Sequence, residues 1–177
     1  RLTAIFTAAI SKQAIGKTGF EPVAYEEREV LKMDFTTVQK NLEAQKFTVR
    51  VFASAQEAAA YLNEAIDGKT VGFGGSMTLD ALGLYDSLGT HNTISWHWKQ
   101  SAGGACQQAM SSEIYLTSAN ALAETGELIN IDGTGNRVAA TLYGHKKIYF
   151  VIGRNKLAPT YDEALWRARN IAAPKNA

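Results

Sequence analysis

IYLTSANALAETGELINIDGTGNR, Ile114 to Arg137, holds two apolar runs, a turn and a glycine-rich loop in one continuous segment. Ile114 to Leu116 and Glu127 to Ile131 read as strands of about five residues or fewer. Between them Glu124-Thr125-Gly126 reads as a tight turn, with Gly126 supplying the permissive backbone. Asp132-Gly133-Thr134-Gly135-Asn136-Arg137 then runs into a helix-like stretch, Val138 to Tyr143. A glycine-rich loop entering a helix turns backbone N–H groups and the positive helix end outward, an arrangement that suits an anion. The segment therefore reads as part of a site joined to a sheet.

Working outward, the periodicity alternates between helix and strand. Phe35, Val38 and Leu42 stand at helical spacing behind a candidate cap, Asp34. Phe47 to Phe52 alternates as a strand, Ser54 caps a helix over Gln56 to Ile66, and Thr70 to Phe73 is a short strand of the buried kind. Ser76 caps a helix expected over Met77 to Leu88, and Asn92 to Trp98 reads as a strand. A short helix is expected over Ala105 to Ser111 and a strand over Lys147 to Ile152. A last helix, Tyr161 to Ile171, starts near Thr160 and is ended by Pro174. Such alternation predicts an α/β fold, a three-layer Rossmann-like sheet that is largely parallel.

Residues 1–32 read differently. Met33 is followed at once by the first regular helix, so residues 1–32 are expected to be an N-terminal extension, non-native to the domain and dispensable for folding. The domain itself is expected over 33–177. Ser11 to Thr18, SKQAIGKT, ends like a phosphate-binding P-loop but has Ser11 where that motif requires glycine. A nucleotide triphosphatase is not expected.

Composition narrows the function classes. The 177 residues are 46% apolar and 20% charged, the balance of a folded globular domain. A net charge of +1 gives no electrostatic footprint for nucleic acid. No apolar run approaches the roughly 20 residues that span a bilayer; Leu2 to Ile10 is too short for that, and Arg1 as its only basic residue on the N-side argues against a signal peptide. With Cys106 the single cysteine, a cytoplasmic protein without membrane contact is expected.

Gly72-Phe73-Gly74-Gly75-Ser76 lies where a strand becomes a helix, the place where open α/β sheets bind ligands. The third glycine of a dinucleotide fingerprint falls on Met77, so no nicotinamide cofactor is inferred. Backbone N–H groups at Gly74, Gly75 and Ser76 either hold a carboxylate, phosphate or acyl oxygen or simply make a capped turn. Glu124 is a nucleophile toward a thioester, a general base, or a turn residue. Asp132 orients the loop or acts on substrate, with Asx-turn duty the plainer reading. Arg137 clamps an anionic group or pairs with Asp132 and faces solvent. His91 and His97 lack further ligands for a metal, His145 is expected at the surface, and Cys106 has no identifiable base.

Leu116 to Gly144 and Lys146 to Pro174, with Val71 to Leu88 before them, closely resemble the lactate-utilisation (LUD) domain family. The resemblance implies a fold like that of ribose-phosphate isomerases, glucosamine-phosphate deaminases and CoA transferases. It also implies an association with bacterial oxidation of L-lactate to pyruvate alongside iron–sulfur partner subunits. On this likeness the cleft comprises Gly74, Gly75, Ser76, Asn120, Glu124, Thr125, Gly126, Asp132, Gly133, Thr134, Gly135, Asn136 and Arg137. Gly153, Asn155 and Lys156 match the loop at a strand end. The expected ligand is a small carboxylate or phosphorylated molecule, with no iron–sulfur ligands in this chain and a homo-oligomer compatible with the pattern. The alternatives are a non-catalytic subunit docking on an iron–sulfur partner, or a CoA-transferase-like or isomerase-like enzyme using Glu124. The chain departs from the family between Leu88 and Ile114, which is short and carries Gly103-Gly104.

Overall fold

The computed structural model describes residues 2–7, 35–101 and 103–175. The main-sheet strands are β1 (Leu2–Thr7), β2 (Thr48–Phe52), β3 (Thr70–Phe73), β4 (Thr93–Ser95), β5 (Ile114–Thr117) and β8 (Lys147–Gly153). They pair in the order β2-β1-β8-β5-β3-β4, every neighbour parallel. Both faces are covered, as parallel sheets require. On one face lie α2 (Ala55–Ala65), α3 (Met77–Ala81) and α4 (Leu84–Gly89), which bury Ala58, Leu62, Leu79, Leu84 and Leu88 against Ile5, Val71 and Leu116. On the other lie α1 (Phe35–Ala44), α5 (Ala105–Met110) and α6 (Asn136–Leu142). These bring Phe35, Val38, Leu42, Ala109 and Ala140 onto Phe6, Tyr115 and Phe150. The fold is the expected three-layer α/β arrangement.

Leu2–Thr7 is not an appendage. It is an inner strand paired on both sides, and Ala4, Ile5 and Phe6 are fully buried. The expected extension over residues 1–32 therefore supplies the strand between β2 and β8, because its apolar run is what fills both core layers there. The Met33 boundary, the Ser11–Thr18 motif and the Asp34 cap lie outside the described residues.

A second sheet, order β7-β6-β9, is built from Ala121–Ala123 (β6), Leu128–Ile129 (β7) and Leu157–Ala158 (β9). The expected pairing of apolar runs in the Ile114–Arg137 segment is thus divided between sheets: Ile114–Thr117 joins the main one, and Leu128–Ile129 pairs antiparallel with Ala121–Ala123. Ala121, Leu122 and Ala123 are all fully buried, so no alternation betrays that strand. α7 (Tyr161–Arg167) packs on this sheet through Ala164, with a capping box between Thr160 and Glu163. The helical path continues as a π turn over Ala168–Ala172 and a 3-10 turn over Ala173–Lys175 that contains Pro174.

Three other expectations shift. The helix from Met77 to Leu88 is two helices, broken where Gly83 adopts φ +63. The strand expected to Trp98 ends at Ser95, because the Trp96 carbonyl accepts from Lys99 and Gln100 N–H and turns the chain. The helix expected from Val138 begins at Asn136. Among the described residues no helix is long and apolar enough to cross a membrane.

Candidate functional site

β3 passes the chain to β4 on one side, while β5 passes it toward β8 on the other, so the crevice between β3 and β5 is a topological switch point. Gly74 follows β3 there, and its N–H donates to Leu116 O at 2.9 Å. A Cβ on residue 74 would stand 2.9 Å from Thr117 Oγ1, 2.9 Å from Tyr115 OH and 3.0 Å from Arg137 Cγ. Glycine is needed for that approach. At Gly75 the obstacle would be the Trp98 indole, 2.9 Å away. Ser76 caps α3, its Oγ accepting from Leu79 N–H at 3.3 Å.

Arg137, only 9% exposed, spends its guanidinium on the protein. Its Nε donates to Asp132 Oδ1 at 2.8 Å, and Nη2 lies 2.6 Å from the same oxygen. Nη1 donates to Ser118 O (3.0 Å) and Asn130 Oδ1 (2.6 Å), while Nη2 donates to Asn120 Oδ1 and Ile131 O. The pairing with Asp132 is as read from the sequence, but the side chain is buried and does not face solvent. Asp132 Oδ2 also accepts from Val138 N–H at 2.7 Å, so this carboxylate occupies the N-terminal end of α6 where the loop suggested an external anion. Gly133 and Thr134 are exposed, Gly135 turns at φ +77, and Thr134 Oγ1 donates to Asn136 Oδ1. Asn136 in turn reaches Cys106 Sγ at 3.9 Å.

The two ends of the Ile114–Arg137 segment meet where Arg137 bonds Ser118 O, and the hairpin β6–β7 extends between them. Asn120 lies at its base beside Arg137, and Glu124, Thr125 and Gly126 form its tip. Four strand residues span about 13 Å. At the tip Glu124 N–H donates to Ala158 O, its carbonyl accepts from Asn41, and Gly126 packs against Gln45, just after α1. Glu124 is thus set apart from the Gly74–Arg137 cluster by the length of the hairpin. A substrate attacked by Glu124 would have to extend over that distance.

The three histidines also lie apart. His91 bonds Asn63 O and Thr90 Oγ1, and His97 follows β4, where burial lowers its pKa. His145 is not at the surface as expected: it is half-buried, stacked on Tyr115 at 4.9 Å, with Nδ1 2.7 Å from Ser112 O. Among the described residues no three His, Cys, Asp or Glu side chains gather as a metal site.

The family model for the LUD domain matches residues 36–177. The chain belongs to the LUD domain family. That membership associates it with lactate utilisation in general terms. No curated protein and no solved structure matches the chain. The match begins after β1, so the inner strand between β2 and β8 in this LUD domain's sheet lies outside the matched residues.

At the carboxyl end of β8 in this LUD domain stands Lys156, in the 3-10 turn that follows the strand. Its Nζ donates to Ser118 Oγ at 2.7 Å, and Ser118 Oγ donates onward to Val151 O. No carboxylate pairs with Lys156 among the described residues. Burial, followed by the positive charges of Arg167 and Arg137, lowers its pKa to about 7. Arg167 anchors the neighbourhood from α7, donating to Asn155 O at 2.9 Å and to Asn120 O. Sequence reasoning named Lys156 and Asn120 but missed Ser118 and Arg167. A serine in the strand-end loop and an arginine in the last helix turn carry no local signal that they will meet.

Proposed function

We propose that this LUD domain binds a small carboxylate or phosphorylated ligand at the carboxyl ends of β3, β5 and β8, serving lactate utilisation in the cytoplasm. The observation that carries the reading is the charge balance around Lys156. Lys156 meets Ser118 with Arg137 and Arg167 close by, no carboxylate among the described residues pairs with Lys156, and Asp132 is already committed to Arg137 and Val138 N–H. An anionic ligand would supply a counter-charge for Lys156.

Neutral donors support the same reading. Asn120 is 4% exposed, and its side-chain NH₂ has no acceptor among the described residues. The backbone N–H groups of Gly75 and Ser76 likewise have none, and they border the switch-point crevice.

The test is thermal unfolding with lactate, pyruvate, CoA esters and sugar phosphates. A ligand at about a hundredfold excess over its dissociation constant stabilises the fold by about 2.7 kcal/mol. Lys156→Met should abolish the shift and keep the fold. No shift with any of these compounds would sink the proposal.

A further inference from the structure

Two features of Lys156 go beyond attraction for an anion. The Ser118 hydroxyl has one proton, and it is given to Val151 O. Ser118 Oγ can therefore only accept from Lys156, which leaves the lone pair of an uncharged Lys156 amine unclaimed by its single hydrogen-bond partner. Arg167 and Arg137 stand close by, Asp132 faces Arg137, and the Arg154 guanidinium on the same turn lies over Phe35, 4.5 Å from the ring centroid. Thus Arg167 and Arg137 oppose the charging of Nζ, and among the described residues no carboxylate pairs with it. Lys156 as a whole is part-buried, and burial is the first cause that lowers the pKa of its amine.

We propose that Lys156 captures the carbonyl of a 2-oxo acid as an imine, the ligand carboxylate being held by the neighbouring donors. This rests on the anion reading above and adds the chemistry of the captured group. The Nζ lone pair forms a bond to the carbonyl carbon, and the carbonyl π pair moves to oxygen. A proton passes from nitrogen to that oxygen to give the carbinolamine. Loss of the hydroxyl with a further proton releases water and leaves the C=N bond. Hydrolysis reverses the sequence, so no oxidant or co-reactant is consumed.

The pKa of about 7 supports this chemistry, since an appreciable share of Lys156 is uncharged near neutrality. A solvent-exposed lysine is uncharged to only about four parts in ten thousand at that pH.

The experiment incubates the whole chain with pyruvate and cyanoborohydride near neutral pH, followed by peptide mass mapping. One reduced pyruvyl adduct is expected, on the peptide carrying Lys156, and it should be missing from Lys156→Arg. Parallel melting curves with lactate, which has no carbonyl, separate the two readings. If lactate and pyruvate both stabilise the protein but no adduct forms, the imine proposal falls and the anion site stands. If neither stabilises it and no adduct forms, both fall. Adducts scattered over surface lysines such as Lys99 and Lys146, or retained in Lys156→Arg, would also overturn the imine.

Discussion

Gly74 packs onto the stem of Arg137, with space for a hydrogen at residue 74 and none for a methyl group: an added Cβ would lie 3.0 Å from Arg137 Cγ. Thr117 Oγ1 and Tyr115 OH close the same space at 2.9 Å. Gly74→Ala should therefore cost about 1–3 kcal/mol through overpacking, read from urea unfolding midpoints. Gly75→Ala meets the half-exposed Trp98 ring instead, which can swing outward, so its cost should be smaller.

Arg137 ties the loops after β5 and β7 to α6 through Ser118, Asn120, Asn130, Ile131 and Asp132. Arg137→Met leaves Asp132 buried without its counter-charge, a change expected to cost about 3–5 kcal/mol. Arg137→Lys should recover only part of that, because an ammonium cannot reproduce the guanidinium's fan of donors. Denaturant unfolding of the three proteins at one pH decides the order.

Lys156 makes stability depend on pH in a direction opposite to that of a salt-bridged lysine. Its folded pKa, about 7, lies below the ordinary 10.5. Between these values the unfolded chain binds more protons than the folded one, so stability rises with pH across that window. The penalty is largest below pH 7, where both states are charged, and it disappears above 10.5. The difference in unfolding free energy between the native chain and Lys156→Met should grow by a few kcal/mol from about pH 6.5 to 10. A flat difference would contradict the assignment.

β1 is expected to be indispensable. Phe6 is fully buried and its ring lies 5.2 Å from that of Phe35. Phe6→Ala should cost about 3–5 kcal/mol. Removal of residues 1–7 should give an insoluble product, since β2 and β8 would lose the strand they share. Expression and circular dichroism of the shortened chain check this.

Glu124→Gln should leave ligand-induced stabilisation unchanged, because the hairpin holds Glu124 at its far end. Loss of the thermal response in this variant would place the ligand at the tip and not in the switch-point crevice.

The alternation of helix and strand, the Ser54 and Ser76 caps and the parallel sheet were legible in the chain, since period and cap chemistry are local properties. The break at Gly83 and the short β4 were not. A glycine tolerates either backbone, and Gln100 ends the strand from beyond it by accepting from Trp96 N–H. The site was legible as a set of loops and not as a set of roles. Arg137 read as an anion clamp or as the partner of Asp132, and in the fold the two pair, buried and away from solvent.

By itself, the sequence determined the layered α/β class, the family and the loops that end β3, β5 and β8. Each of these follows from patterns a few residues long. Only the tertiary structure decided that Leu2–Thr7 is an inner strand, that Glu124 stands apart, and that Lys156 meets Ser118 between two arginines. Those facts depend on segments distant in the chain sharing one sheet end, where burial and the charges of remote neighbours, and not residue type, set what a side chain can do.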